Sequence, residues 1–220
     1  MTHALSRKLA GEFSGTALLL ATVVGSGIMG ERLCGGNIAV ALLANTLATG
    51  AVLYALISTF DAVSGAHFNP VVTVSAAVLG KLPWRKAGAY IAAQLAGALA
   101  GVVAAHWMFE LPVFAASRHM RAGPSQLWSE VVATFGLVTV ILHCARHKPE
   151  AIAAAVGTYV TAAYWFTAST SFANPAVTIA RSWTDTFSGI RPIDAPGFIV
   201  AQFMGAGVAV LFYRWTSPGN

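Results

Sequence analysis

Apolar residues run in nearly unbroken stretches at about 9–30, 38–60, 84–109, 127–145, 151–169 and 195–214. Each is long enough to cross the roughly 30 Å of a bilayer core as a helix, the secondary structure that pairs its own backbone groups. The pattern predicts six transmembrane helices, with both termini on one side. Two further apolar segments, Asn69 to about Leu79 and Asn174 to about Trp183, are too short to span. About ten residues at a rise of about 1.5 Å cover only half the core, so these are expected to be re-entrant half-helices. Each opens with Asn-Pro, a good cap followed by a proline whose missing donor would have had no partner in the first turn.

The pattern also repeats. Glu12 and Thr16 in the first span match Glu130 and Thr134 in the fourth. Asn69-Pro70-Val71-Val72-Thr73 matches Asn174-Pro175-Ala176-Val177-Thr178, and Ala93-Gln94-Leu95-Ala96-Gly97-Ala98 matches Ala201-Gln202-Phe203-Met204-Gly205-Ala206. These landmarks recur in order at offsets of 118, 105 and 108 residues. The chain 1–220 therefore reads as a single domain of two units, about 1–112 and 113–220. Three spans per unit put the halves in opposite orientations, an inverted repeat in an all-α membrane protein. The half-helices then enter from opposite faces, and their amino termini meet near the midplane.

Composition agrees: 56% of residues are hydrophobic and 10% charged, with a mean hydropathy of +0.67. Soluble domains carry about 25% charged residues. A net charge of +5 raises nucleic acid as a partner, but the 13 Lys and Arg are scattered with no basic stripe. They follow topology instead. Arg7, Lys8, Lys81, Arg85, Lys86, Arg146, Lys148 and Arg214 fall on the terminal side, against Arg32, Arg118, Arg121, Arg181 and Arg191 on the other, which places both termini in the cytoplasm. Arg7 and Lys8 precede an apolar run that is long enough to be a retained first helix instead of a signal peptide. Cys34 and Cys144 show no metal spacing and read as single small residues.

Irregular backbone at membrane depth survives only when buried in protein or lining a watery cavity, so the meeting point of the half-helices predicts a pore. Asn69 and Asn174 offer side-chain donors at its midplane. The carbonyls of Gly65, Ala66, His67 and Phe68, and those of Thr170 to Ala173, Ser171 included, offer acceptors. A cation would face two positive helix termini, and an anion would find no Lys or Arg in the predicted midplane. One Asn-Pro alone is an ordinary capped helix start; two in matched frames inside repeats are not. No nucleophile arrangement, phosphate loop or metal-ligand cluster is legible, so neither an enzyme nor a cofactor is expected. His106 and His143 read as interfacial or packed residues. Gly25, Gly27, Gly97, Gly101, Gly205 and Gly207 read as close-packing positions, and Trp84, Trp107, Trp128 and Trp215 as interfacial anchors.

On His67-Phe68-Asn69-Pro70-Val71-Val72-Thr73, Asn174-Pro175-Ala176 and the glutamates Glu12 and Glu130, the chain resembles the aquaporin, or major intrinsic protein, family over nearly its whole length. The resemblance implies a homotetramer with one pore per subunit. It also implies that Glu12 and Glu130 accept hydrogen bonds from the re-entrant loops and that Pro70 and Pro175 support the half-helices.

The departures from the family pattern are informative. Most members read Asn-Pro-Ala-Arg in the second loop, where the arginine contributes to a narrow filter; Val177 stands there, and Arg181 follows four residues later, about one turn deeper or turned to a neighbour. Family spacing places the other filter residues at Thr49 and Ala162, with Thr161 or Ala163 as alternatives for the latter, and with Phe172 nearby. Thr49, Ala162 and Val177 predict a wider, less polar constriction than that of a water-selective member.

The expectation is a passive channel for small uncharged solutes, namely metalloid hydroxides such as arsenite and related arsenicals, with glycerol and water. It is expected in a bacterial inner membrane and is similar to the aquaglyceroporin-like channels of arsenic-resistance operons. The alternatives are a water or general glycerol channel in osmoregulation, a secondary transporter using Glu12 or Glu130, and a non-conducting membrane scaffold.

Overall fold

The computed structural model describes residues 4–217. Among the described residues, five helices are long and apolar enough to cross a membrane: α1 (Leu5–Leu33), α2 (Ile38–Ser64), α4 (Trp84–Met108), α5 (Pro124–His147) and α8 (Ala195–Thr216). Between them lie two short helices, α3 (Pro70–Val78) and α7 (Pro175–Arg181), and the 15-residue α6 (Ile152–Phe166). The predicted fifth span, 151–169, is thus the one element that falls short. Its first residue, Ala151, closes a 3₁₀ turn that begins at Pro149, and its last residues leave the helix so that Ser169 can reach Glu130.

Packing follows the repeat. α1 lies against α4 in the first half as α5 lies against α8 in the second, and α2 meets α6 across the halves. Small residues permit the first two contacts. A Cβ on Gly97 would come within 2.3 Å of the Phe13 carbonyl oxygen, and one on Gly205 within 2.3 Å of the Val131 carbonyl oxygen. With no hydrophobic drive between helices in lipid, such backbone approach is what holds them together. Gly207 departs from the expectation of a packing position, since nothing lies within 4 Å of a Cβ placed there. Trp84, Trp107, Trp128 and Trp215 are all exposed, and so are many large apolar residues of the long helices, as lipid-facing surfaces require.

The described ends of the chain share one face. Lys8 and Lys81 line the same mouth of the central cavity, and the Lys81 ammonium sits over the ring of Tyr213 near the end of α8. The opposite, distal face is covered by the segments 109–123 and 182–194, which pair through Ala115 N to Trp183 O, Ser117 N to Ser182 O and Arg191 N to His119 O. His106 pins this cover from below. Its ring nitrogens contact the Pro112 carbonyl at 2.6 Å and the Thr184 hydroxyl at 2.7 Å, making it a buried clamp rather than an interfacial residue. Cys34 and Cys144 are free thiols.

Candidate functional site

Each half-helix begins where its asparagine turns back on the backbone. Asn69 Oδ1 accepts from Val71 N at 3.0 Å, and Asn174 Oδ1 accepts from Ala176 N at 3.0 Å and Val177 N at 3.3 Å. The amide nitrogens of these side chains reach across the molecular centre: Asn69 Nδ2 donates to Ala173 O and Asn174 Nδ2 to Phe68 O, both at 2.8 Å. A carboxamide carries two N–H donors, so each asparagine keeps one beyond this crossed pair. The two amino-terminal ends of α3 and α7 therefore meet, as the inverted repeat predicts.

The loops leading to them are strained in matching places. Ala66 and Phe68 in the first loop, and Thr170, Ser171 and Ala173 in the second, all have positive φ between 46° and 60°. Such left-handed backbone costs about 1–3 kcal/mol per non-glycine residue and persists only where its surroundings impose it. Glu12 and Glu130 impose it here. Glu12 accepts from the Ser64 hydroxyl at 2.7 Å, His67 N at 3.0 Å, Phe68 N at 2.8 Å and Gln94 Nε2 at 2.8 Å. Glu130 accepts from the Ser169 hydroxyl at 2.6 Å, Phe172 N and Ala173 N at 2.9 Å, and Gln202 Nε2 at 2.6 Å. Each glutamine also donates to the threonine of the adjoining half-helix, Gln94 to Thr73 and Gln202 to Thr178, at 2.9 Å. Four donors fill the acceptor capacity of a carboxylate, leaving neither glutamate open to a coupling ion.

A cavity of about 480 Å³ runs through this centre. Its lining combines the apolar side chains Leu19, Val23, Leu53, Ile57, Val156 and Val160 with the loop residues Gly65 to Phe68 and Ser171 to Ala173 and both asparagines. At the distal end it is lined by Thr49, Tyr164, Phe172, Val177 and Arg181. The Tyr164 hydroxyl donates to Thr49 Oγ1 at 3.4 Å, bridging α2 and α6.

Two expectations change here. Ala162 is exposed and does not line the cavity, and neither does Thr161 or Ala163; Tyr164 takes the α6 position instead. The gap-free count from Asn174 fails because the chain leaves α6 at Phe166 to place Ser169 on Glu130. Second, the distal constriction is not uniformly small, because Tyr164 and Phe172 stand beside Thr49 and Val177. An arginine also lines the cavity, a point the sequence left open. Arg181, at the end of α7, lies about 10 Å from Asn174 along the helix, away from the midplane. Its guanidinium carbon is 3.5 Å from the centroid of the Phe172 ring, its Nε donates to Ser188 O, and its Nη1 is buried with no partner.

The Major intrinsic protein model matches residues 1–150. The chain belongs to the major intrinsic protein family. Within this family, Aquaglyceroporin AqpS of Rhizobium meliloti (strain 1021) is 54% identical over 211 residues, covering 96% of this chain and 90% of that one. Aquaporin NIP1-4 of Oryza sativa subsp. japonica is 36% identical over 145 residues, 64% of this chain and 51% of the other. The solved aquaglyceroporin from Plasmodium falciparum superposes with a TM-score of 0.76 at 20% identity over 96% of both chains, which shows a shared major intrinsic protein fold.

Sequence reasoning assigned no role to Gln94, Gln202, Ser64, Ser169 or Tyr164. The glutamines were visible as repeat landmarks, and Ser64 and Ser169 stand at the same 105-residue offset as the asparagines. Tyr164 carried no such signal.

Proposed function

We propose that the protein is a passive channel, a single unit of two inverted repeats, for small uncharged solutes larger than water. The observation that carries this reading is the crossed Asn69 and Asn174 pair in a cavity lined by both apolar side chains and loop backbone. A polyol such as glycerol, or a metalloid hydroxide such as arsenous acid, presents both hydroxyls and a less polar surface, and such a lining offers partners to each. Small Thr49 and Val177 at the distal end leave room that a guanidinium at position 177 would fill. The likeness to an aquaglyceroporin along nearly the whole chain supports the polyol class. Arsenite-like hydroxides are the favoured cargo within it, with glycerol and water also passing.

Topology and assembly belong to the same proposal. Arg121 and Arg181 are buried, which removes two of the five positive charges counted for the distal side and strengthens the bias toward cytoplasmic termini in a bacterial inner membrane. The exposed apolar helix faces suit a homotetramer with one pore per subunit. The saturated carboxylates of Glu12 and Glu130 argue against the transporter alternative.

Flux in proteoliposomes with no ion or proton gradient tests the reading. Glycerol and arsenous acid are expected to equilibrate down their own gradients and never to concentrate. Concentration of either solute by an imposed proton gradient would establish coupled transport, and no flux of any solute would establish a scaffold.

A further inference from the structure

The face of the molecule that holds the described chain ends carries positive charge that its own carboxylates do not balance. The eight lysines and arginines of the terminal side stand against Asp61 and Glu150, besides the buried and fully engaged Glu12. Both ion pairs among the described residues, Arg118 with Asp185 and Arg191 with Asp194, belong to the distal cover instead. Three of the eight cations gather at one corner, where the ends of α3, α5 and α8 meet. Arg146 Nη1 donates to Ser217 O at 3.3 Å, and Arg214 Nη2 donates to Val78 O at 3.1 Å, at the end of α3. Lys81, three residues beyond Val78, holds its ammonium 5.2 Å from the centroid of the Tyr213 ring, and the charges of Lys81 and Arg146 both act on the Tyr213 phenol.

All three side chains are exposed, so their charged ends are accessible. Carbonyls and a ring face orient a cation without neutralising it. An apolar track leads away from the corner. Val200, Met204, Val208, Leu211 and Trp215 are all exposed and follow one another every three or four residues, which sets them in one row on α8. At about 1.5 Å per residue the row is about 22 Å long. Arg214 stands three residues after Leu211, so a cation and the end of the row are surface neighbours. A second copy of the chain in the same orientation would not complement this corner, because its terminal face brings the same excess of cations to the same level.

We infer that this corner binds an anionic phospholipid of the terminal-side leaflet, with Lys81, Arg146 and Arg214 receiving the headgroup phosphate and the exposed row of α8 receiving an acyl chain. The occupant has to be anionic at one end and apolar along about 20 Å, and it has to lie at the surface of a spanning helix. A phospholipid is all three. Its phosphate oxygens accept from the guanidinium N–H groups that the carbonyl contacts leave over, and from the ammonium of Lys81. Basic residues just outside a spanning helix gain from anionic lipid in this way, and here three elements bring them together. The site stands whatever the cavity conducts.

Dioleoyl phosphatidylglycerol is the probe, with dioleoyl phosphatidylcholine as the zwitterionic lipid of identical chains. Native mass spectrometry of the purified full-length protein reads the bound lipid. Phosphatidylglycerol is expected to bind about tenfold more tightly than phosphatidylcholine. The triple variant Lys81→Gln, Arg146→Gln, Arg214→Gln should bring the two lipids to within about twofold of each other. A matched triple, Arg85→Gln, Lys86→Gln, Lys148→Gln, removes the same charge from the same face and should keep the preference. If the first triple does not elute and unfold like wild type, Lys81→Gln alone replaces it, since Lys81 donates no hydrogen bond within the described protein, with an expected loss of about threefold. Soluble glycerol 3-phosphate, which offers the phosphate without the chains, is expected not to displace phosphatidylglycerol at equal concentration. Equal binding of the two lipids, an unchanged preference in the folded corner variant, or an equal loss in the matched triple would overturn the site. Displacement by glycerol 3-phosphate would overturn the lipid as its occupant.

Discussion

The side-chain nitrogen of Asn69 donates to the carbonyl oxygen of Ala173 at 2.8 Å, and this bond, with its mate from Asn174 to Phe68, ties the two halves of the chain at their centre. The same asparagine caps its own half-helix through Oδ1. One residue thus fixes a helix start, a contact between repeats and a donor in the wall of the central cavity.

Asn69→Asp separates these roles. It keeps the cap oxygen but sets a second oxygen against Ala173 O, which costs about 1–3 kcal/mol for the unsatisfied acceptor. Thermal unfolding is expected at a lower temperature and glycerol flux at about a tenth of wild type. The double variant Asn69→Leu, Asn174→Leu should conduct nothing. Wild-type flux in either folded variant would move solute recognition away from the midplane.

Glu130→Gln tests whether the buried glutamates are structural. Glutamine keeps one acceptor oxygen and turns an NH₂ toward groups that are themselves donors, so part of the Ser169, Phe172, Ala173 and Gln202 set is left unpaired. Hydrogen bonds to a charged group are worth about 1.5–3 kcal/mol each, and losing two is enough to unfold the second re-entrant loop. The expected result is loss of the assembled protein during detergent extraction, read by size-exclusion chromatography. A well-folded Glu130→Gln protein with altered proton dependence of transport would instead mark a coupling site.

Much of this arrangement was legible in the sequence because it is repeated. The Asn-Pro pair, the two glutamates and the Ala-Gln pairs recur at near-constant offsets, and the structure sets each pair in equivalent positions. What escaped was whatever lacks a counterpart in the other half. Tyr164 reaches the distal end because α6 stops at Phe166, and that stop is dictated by Ser169 bonding to Glu130, a contact between segments 39 residues apart. Arg121 lies in a covering loop with no hydrophobic period, and only tertiary folding lays its guanidinium near that of Arg181. The direction of Arg181 stayed open in the sequence, because it depends on how the half-helix α7 is placed.

Acid should loosen the distal cover. Hydrogen bonding to Arg191 holds the Asp194 carboxyl below its ordinary range, burial opposes this, and the Arg121 amide lowers it further. A depressed folded pKa means that the stabilisation is complete above the ordinary Asp value of about 3.9 and is lost as pH falls through the lower folded value. Arg121 N donates to Asp194 Oδ2 at 2.9 Å, so its hydrogen-exchange protection reports the event. Protection at Arg121 is expected to hold at neutral pH and to fall below about pH 4. In Asp194→Asn it should be weaker at neutral pH and should lack this step. A wild-type protection factor that is flat across this range would show that the loop is held by other contacts.

Val177→Arg tests what limits solute size. Val177 is nearly buried, lines the distal end of the cavity and lies one turn before Arg181. A guanidinium there brings five donors and a long side chain into the space beside Thr49 and Phe172. It also sets like charges at i and i+4, which destabilises a helix by about 0.2–0.5 kcal/mol at an exposed site. The expected outcome is a change of ratio: water flux falls modestly, glycerol flux falls more, and flux of a methylated trivalent arsenical falls most. Stopped-flow measurements normalised to channel amount give all three. Equal proportional losses would signal a folding or assembly defect, which unfolding curves would also show. Undiminished flux of the larger solutes would place the constriction at Phe172 and Arg181 instead, where the Arg181 guanidinium already covers the ring at 3.5 Å.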